Sequence, residues 1–189
     1  MHRTSLILVL MIFILATVAG CAQAGNMAEA DLAAVGITTG SGQLGTFSTD
    51  YKDGSDPGRD KNMKLASDAI NQKVVQPGEE FSFNNALGPT TKQNGYEEST
   101  VYMNGKKAKG YGGGVCQVST TLYNAAANAG MTIVERHDHA LPVTYVEAGK
   151  EAATSYGVID FRFKNDLSHP VSIESHVGGG KVTVSINSV

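Results

Sequence analysis

The sequence predicts an α+β fold in which a largely antiparallel mixed sheet packs against two main helices. Two stretches carry apolar residues at the three- and four-residue spacing of an amphipathic helix. Eight short strand-like segments surround them, several joined by turns rich in Gly, Asn and Pro. Strands that outnumber helices and follow one another through short turns favour antiparallel pairing. The chain of 189 residues is 41% hydrophobic, which suffices for one domain with its own core.

The two predicted helices span residues 59–72 and 115–129. The apolar stripe of the first helix consists of Met63, Ala66 and Ile70. The stripe of the second consists of Val118, Leu122, Ala125 and Ala129. Gly130 follows the second helix, where a glycine suits the left-handed position just past a helix end.

The predicted strands are short and alternate between apolar and polar residues. They cover residues 47–51, 80–84, 100–103, 131–136, 143–146, 158–164, 171–176 and 181–186. Asn104-Gly105 predicts a hairpin turn after the third strand. The glycines of residues 178–180 predict a flexible turn before the last one.

The first twenty residues are typical of a secretory signal. Arg3 supplies a positive charge, residues 6–15 are an unbroken apolar run, and residues 16–20 turn to small side chains. A retained anchor helix is the alternative, although a spanning helix needs about 20 apolar residues. Val18-Ala19-Gly20-Cys21 resembles a bacterial lipobox. That resemblance implies cleavage before Cys21 and lipidation of its thiol; ordinary cleavage nearby, giving a soluble secreted protein, is the alternative.

These features divide the chain into a signal peptide (1–20), a tether (21–46) and an ordered domain (47–189). The tether is rich in Ala, Gly, Ser and Thr. A net charge of −3 argues against nucleic-acid binding, which requires a basic surface. We expect an exported lipoprotein that faces the periplasm or cell wall and is held to a membrane through Cys21.

The chain has only two cysteines, Cys21 and Cys116. This number excludes a disulfide-rich scaffold and an all-cysteine zinc site. Composition alone leaves open a single Cys21–Cys116 bridge. If Cys21 carries lipid, Cys116 is a lone thiol in an oxidising compartment, which is either buried and inert or chemically useful.

Cys116 follows three glycines and opens the second predicted helix. Unpaired amides at the positive end of a helix dipole predict a lowered thiol pKa and therefore more of the nucleophilic thiolate. Backbone amides from Gly114 to Gln117 are candidate donors to an oxyanion. Ser119, Thr120 and Tyr123 share the helix face of Cys116 and predict a polar cleft wall. The structural alternative is a buried cysteine that packs as a small apolar residue.

A nucleophilic cysteine usually works with a histidine base. His137 and His139 follow a predicted strand and lie two residues apart, a spacing that points both side chains the same way. Together with Cys116 they form an alternative metal set, but no further cysteine or clear acidic ligand completes it, so we predict no metal or other cofactor. Asp160 is a candidate to orient a histidine, or else a solvated acid at a strand edge.

Several motifs resemble the VanW-domain family. They are residues 112–125 (GGGVCQVSTTLYNA), 77–84 (PGEEFSFN), 95–96 (GY), 135–139 (ERHDH), 145–146 (YV) and 161–165 (FRFKN). The resemblance covers about residues 47–187. Two positions depart from the family pattern. Ala140 follows His139 where the family usually has Ser, and Glu151 stands where the family usually has Asp.

The resemblance implies a cysteine acyltransferase acting on peptidoglycan stem peptides, because some VanW domains are L,D-transpeptidases that form 3-3 cross-links. Cys116 would be the nucleophile and His139 the base. Arg136 would hold a substrate carboxylate or form a structural ion pair, and Glu151 would orient a group or bind substrate. Two alternatives stay open: a thiol carboxypeptidase or endopeptidase, and a non-catalytic binding or glycopeptide-resistance accessory protein.

Overall fold

The computed structural model describes residues 42–103 and 105–189. Cys21, the predicted signal peptide and the predicted tether as far as residue 41 lie outside the described residues. The described chain confirms the predicted α+β class. Its helices are too short or too polar to span a bilayer.

The described strands pair antiparallel in three separate sheets rather than in one. Strands β1 (Gln43–Asp50), β9 (Lys181–Ser188), β8 (Val171–Gly178) and β2 (Val74–Val75) form the largest sheet in that spatial order. A second sheet has the order β3 (Glu80–Ser82), β7 (Arg162–Lys164) and β6 (Thr132–Glu135). Strands β4 (Glu98–Met103) and β5 (Lys106–Tyr111) form a separate hairpin across the predicted turn.

Two long helices pack against the largest sheet. Helix α1 (Pro57–Ile70) lies on β8, and helix α3 (Val115–Asn128) lies on β1 and β9. The predicted stripes face inward, and their buried members are Met63, Ala66, Ile70, Val118, Leu122 and Ala125. They meet the inward side chains of the sheet, Ile173, Val182, Val184 and Ile186. The fold thus places the starts of α1 and α3 side by side.

Local chemistry sets the ends of these elements. Helix α1 begins at Pro57, two residues before the predicted start, because Asp56 caps it and proline fits the first helical position. Gly130 has a φ of 74° just after α3, as expected for a glycine there. The short helix α2 (Phe83–Leu87) starts where Ser82 accepts a hydrogen bond from the Asn85 amide at 3.1 Å.

Four sequence expectations differ from the structure. The predicted strand at 80–84 ends at Ser82, because Ser82 caps helix α2 and Phe83 and Asn84 are helical. Strand β1 begins at Gln43, within the predicted tether, because this segment pairs along the whole of β9. The predicted strand at 143–146 is wrong: this segment follows Pro142, pairs with no strand of the described chain and lines a cavity instead. The predicted strand at 158–164 is reduced to β7, preceded by a single bridge between Ser155 and Ile159.

Candidate functional site

Cys116 lies in the first turn of α3, directly after a glycine loop. Gly114 occupies the N-cap position with a φ of 101° and offers no side chain to cap the helix. A Cβ on Gly114 would lie 2.8 Å from Met63 Cγ, and one on Gly113 would lie 2.5 Å from the Thr100 carbonyl oxygen. These glycines therefore provide both the left-handed turn and the close approach of the loop to α1 and β4.

The backbone amides at this helix start divide into two groups. The Val115 amide donates to the Gly112 carbonyl at 3.1 Å, and the Gln117 amide donates to the Gly114 carbonyl at 2.9 Å. Within the described chain, the amides of Gly114 and Cys116 meet no acceptor. Of the amides predicted as oxyanion donors, these two therefore keep a free N–H within the described chain.

The environment of the thiol contradicts the predicted pKa. Cys116 Sγ is partly buried and donates a hydrogen bond to the Thr154 carbonyl oxygen at 3.4 Å. Burial raises the pKa of the Cys116 thiol, and the opposing effect of the Arg59 charge is smaller. The prediction of a lowered pKa is therefore wrong, because desolvation of the thiolate outweighs the favourable helix start.

Cys116 lines a cleft of about 500 Å³. The glycine loop, the β4–β5 hairpin and the segment from Thr154 to Tyr156 form its walls. His139 lines the same cleft, so the predicted nucleophile and the predicted base share it, but no hydrogen bond joins them in the described chain. Four tyrosines also line the cleft, namely Tyr102, Tyr111, Tyr145 and Tyr156.

His139 is held by aromatic contacts. Its ring centroid lies 6.3 Å from that of Tyr102 and 6.4 Å from that of Tyr145, both edge-on. Burial lowers the pKa of His139, which outweighs the opposing charges of Glu151 and Asp138. The imidazole is therefore in its neutral, basic form at pH 7. Its Nδ1 is buried without a hydrogen-bond partner in the described chain.

His137 and Asp160 do not belong to this cleft. His137 Nε2 lies 2.9 Å from Glu135 Oε1, so the expectation that both histidines point into one site is wrong. The Asp160 carboxylate accepts a hydrogen bond from Ser82 Oγ at 2.5 Å and another from the Asn84 amide at 2.8 Å. Asp160 thus fastens the start of α2 and orients no histidine.

Arg136 has a structural role. Its Nη1 donates to the carbonyl oxygens of Gly149 and Glu151, each at 2.8 Å, and its Nη2 pairs with Asp138. The guanidinium carbon also lies 5.4 Å from the centroid of the Tyr123 ring. Of the two predicted roles, the structure favours the ion pair.

The predicted polar face of α3 is covered rather than open. Ser119 is fully buried, and its Oγ donates to the Ala152 carbonyl at 2.6 Å. Thr120 Oγ1 accepts from the Ala152 amide at 3.0 Å. Glu151 is only 7% exposed, and its carboxylate accepts from the Gly149 amide at 2.6 Å. These residues fasten the segment 149–154 along α3, which delivers Thr154 to Cys116.

Gln117 acts through its neighbours. Gln117 is only 1% exposed, so its side chain offers little surface to a ligand in either cavity. Its Nε2 donates to Thr49 Oγ1 and to the Asp50 carbonyl, each at 3.0 Å, and its Oε1 accepts from Arg59 Nη2 at 2.6 Å. No sequence pattern pointed to Arg59, because it lies 57 residues before Cys116 on another helix.

A second, smaller cavity of about 240 Å³ adjoins the cleft. The two cavities share four lining residues, Arg59, Tyr102, Gln117 and Tyr145. Residues 143–145 close the smaller cavity on one side. Burial raises the pKa of the Tyr145 phenol, so this residue stays neutral between the two cavities at ordinary pH. Tyr145 was known from the sequence only as part of a family motif.

The residues predicted as alternative metal ligands do not form a metal site in the described chain. Within residues 42–103 and 105–189, no group of three His, Cys, Asp or Glu side chains is arranged to hold a metal ion. His137, the third member of the predicted set, pairs with Glu135 outside the cleft.

Comparison with known proteins identifies relatives. The family model described as "VanW like protein" matches residues 58–187. "Uncharacterized protein YoaR" of Bacillus subtilis (strain 168) is 40% identical over 146 residues, which is 77% of this chain and 48% of that protein. "Vancomycin B-type resistance protein VanW" of Enterococcus faecalis (strain ATCC 700802 / V583) is 33% identical over 110 residues, which is 56% of this chain and 40% of that protein.

The alignments therefore cover only part of each relative. The chain aligns with less than half the length of either of these curated relatives. No solved structure matches it significantly.

Proposed function

Because the chain belongs to the VanW-like protein family, we propose that it works in the cell envelope as a cysteine acyltransferase on peptidoglycan stem peptides. A relative is named for resistance to vancomycin, an antibiotic directed at the cell wall. The observation that carries the proposal is the placement of Cys116 and neutral His139 in one cleft, at a helix start with two unused amides.

The first half-reaction transfers the acyl part of the donor stem to Cys116. His139 takes the thiol proton while Sγ attacks the carbonyl carbon of the third stem residue. The Gly114 and Cys116 amides face the oxygen that becomes negative. The bond between that carbon and the amine of the terminal D-Ala then breaks, and the amine leaves with the proton from His139. The product is a thioester on Cys116 and free D-Ala.

The second half-reaction releases the enzyme. An amine of a neighbouring stem attacks the thioester carbon and gives a proton to His139, which returns it to the Cys116 sulfur. The new amide is a 3-3 cross-link between stems. If water attacks instead, the same thioester yields a free carboxylate, and the protein is a carboxypeptidase.

A non-catalytic role is the second candidate, and one observation favours it. The Cys116 thiol donates to the Thr154 carbonyl, and burial raises its pKa. Burial of Cys116 favours the neutral thiol over the thiolate. In this case the cleft binds envelope peptides without cleaving them, as an accessory protein of glycopeptide resistance.

Export and anchoring remain part of the proposal. Lipidation of Cys21 would hold the domain to a membrane, with 169 residues beginning at Cys21 outside it. Globomycin, which blocks lipoprotein signal cleavage, should then cause the uncleaved precursor to accumulate. Normal processing in its presence would contradict lipidation at Cys21.

The catalytic proposal is tested with a donor peptide, L-Ala-D-isoGln-L-Lys-D-Ala, whose amino groups are acetylated. Intact mass spectrometry should show an acyl adduct on the wild-type chain and none on Cys116→Ala. Addition of the tripeptide L-Ala-D-isoGln-L-Lys as acceptor should give a cross-linked product. His139→Gln should slow adduct formation by about 10²–10⁴-fold.

Each outcome selects one reading. Cross-linked product supports transfer, and acetylated tripeptide released from the donor in the presence of acceptor supports hydrolysis. Absence of both products from wild-type protein, with tight binding of the donor, supports the non-catalytic candidate. Asp160→Asn is the matched control, because Asp160 lies outside the cleft, and it should keep wild-type adduct formation if the variant folds.

A further inference from the structure

Arg59 occupies the boundary between the two cavities. It lies in the first turn of α1 and lines both the cleft that contains Cys116 and the smaller cavity beside it. Its Nη2 donates to Gln117 Oε1 at 2.6 Å. Gln117 is in turn fixed by Thr49 and Asp50. The hydrogen bond to Gln117 therefore orients the guanidinium through one nitrogen, and its other N–H groups can donate to a ligand.

The charge of Arg59 has no partner in the described chain. The other two described arginines pair with acids, Arg136 with Asp138 and Arg162 with Glu80. No Asp or Glu of the described residues forms such a pair with Arg59. A half-buried guanidinium with free donors is suited to a carboxylate, which accepts two parallel hydrogen bonds from it.

The smaller cavity matches such a ligand in charge and size. Lys52 adds a second cation to its lining, and Asp50, the acid that also lines it, is paired with Lys181 at 2.5 Å. A volume of about 240 Å³ accommodates one small amino-acid residue but not an extended peptide. The larger cleft, of about 500 Å³, has the room for the rest of a stem.

We infer that Arg59 and the smaller cavity form the subsite for the carboxylate of the C-terminal residue that is released. This inference rests on the proposed function and adds the direction in which the peptide binds. The stem lies in the larger cleft, the scissile carbonyl is at Cys116, and the leaving D-Ala points past Tyr145 to Arg59. The donor must therefore end one residue beyond the scissile bond, with a free carboxylate.

The test measures binding without catalysis. The full chain carrying Cys116→Ala is titrated calorimetrically with the acetylated donor peptide, whose only carboxylate is the terminal one, and with the same peptide amidated at its C-terminus. The free acid is expected to bind at least tenfold more tightly. Arg59→Gln in the same background should bring the ratio of the two affinities close to one, and Arg59→Lys should leave a reduced preference.

Controls separate this role from a structural one. Loss of the Gln117 hydrogen bond alone would weaken both peptides equally and leave their ratio unchanged. Lys64→Gln removes a positive charge from the same helix, where Lys64 is exposed and faces Asp68, and should keep the full preference. Far-UV circular dichroism checks that each variant is folded. If Arg59→Gln is not folded, the ratio of acid to amide affinity in Arg59→Lys decides whether Arg59 binds the carboxylate.

The result distinguishes the inference from the proposed activity. Equal affinity for acid and amide, or no binding of either, overturns the subsite even if the wild-type protein forms a thioester. A preference for the acid that depends on Arg59 supports the subsite even if no thioester forms. Persistence of the preference in Arg59→Gln overturns it.

Discussion

Helices α1 and α3 have the same length, 14 residues, and begin side by side, but their first turns are built differently. Asp56 caps α1: its carboxylate accepts from the Arg59 amide at 3.1 Å and from Ser99 Oγ at 2.7 Å. Gly114 caps α3 without a side chain. The first helix satisfies the amides of Arg59 and Asp60 through Asp56, whereas the second leaves the amides of Gly114 and Cys116 without an acceptor in the described chain.

The two helix starts therefore have different roles at the site. The capped start fixes the backbone of Arg59, and the uncapped start presents Cys116 and its amide to the cleft. A helix terminus favours a nearby negative charge by about 0.3–1 kcal/mol at the surface. Removing an ion from water costs several kcal/mol even after the protein relaxes. Burial therefore decides the pKa of Cys116, and the helix start contributes positioned amides rather than a ready thiolate.

The largest effect on the free energy of unfolding is expected when a side chain is added at Gly114, the N-cap of α3. Gly114→Ala adds a Cβ at 2.8 Å from Met63 Cγ to a residue with a φ of 101°. Backbone strain and overpacking together should lower the free energy of unfolding by about 3 kcal/mol. Urea denaturation followed by circular dichroism measures this loss.

Gly78→Ala is the matched control for that variant. Gly78 also has a positive φ, 77°, but a Cβ there meets nothing within 4 Å. It should lose only the strain, about 1–2 kcal/mol. Equal losses for the two variants would show that the close approach of the glycine loop to α1 contributes nothing.

The second prediction concerns the reactivity of Cys116. Because burial raises the pKa of its thiol above the ordinary value of 9.0, the thiolate fraction should still be rising at pH 9. The rate of iodoacetamide labelling should therefore increase about a hundredfold from pH 7 to pH 9, equivalent to about 2.7 kcal/mol. Labelling is followed by mass spectrometry on the peptide that contains Cys116, so that Cys21 does not interfere.

The urea-unfolded chain provides the reference for this measurement. Its Cys116 should label faster at pH 7 than that of the folded chain, since burial is lost. A rate that reaches its plateau below pH 8 in the folded protein alone would mean that the helix start outweighs burial, as the sequence suggested.

Local pattern was enough to predict most of the fold. The stripes of Met63 and Ile70 and of Val118 and Leu122 follow helical periodicity, so both helices were found within two residues of their ends. The strand prediction for residues 143–146 was wrong because a run of β-branched and aromatic residues has strand propensity wherever it occurs. Only tertiary structure decides whether such a segment finds a partner strand or lines a cavity.

The site was predictable in its reactive pair but not in its surroundings. Cys116 was identifiable from the glycines before it, and His139 from its place after a strand. Thr154 contacts Cys116, and Arg59 contacts its neighbour Gln117, from distant parts of the chain, and no spacing in the sequence predicts such contacts. The pKa of Cys116 was predicted in the wrong direction because burial depends on the segment 149–154, which covers α3 through the Ser119 hydrogen bond.

The smallest effect is expected at the capped start, where one side chain can be changed without filling space. Asp56→Ala should lower the free energy of unfolding at pH 7 by about 1 kcal/mol, and Asp56→Asn by less, because asparagine also caps helices. The hydrogen bond from Ser99 lowers the pKa of Asp56 below its ordinary 3.8. Its stabilising effect is therefore complete above pH 3.8 and lost as the pH falls through the folded-state pKa. Urea titrations at a series of pH values should thus show a gap between wild type and Asp56→Ala that is full at pH 7 and shrinks as the pH falls below 3.8. A gap that keeps its full size in acid would assign the effect to neutral hydrogen bonds rather than to the carboxylate.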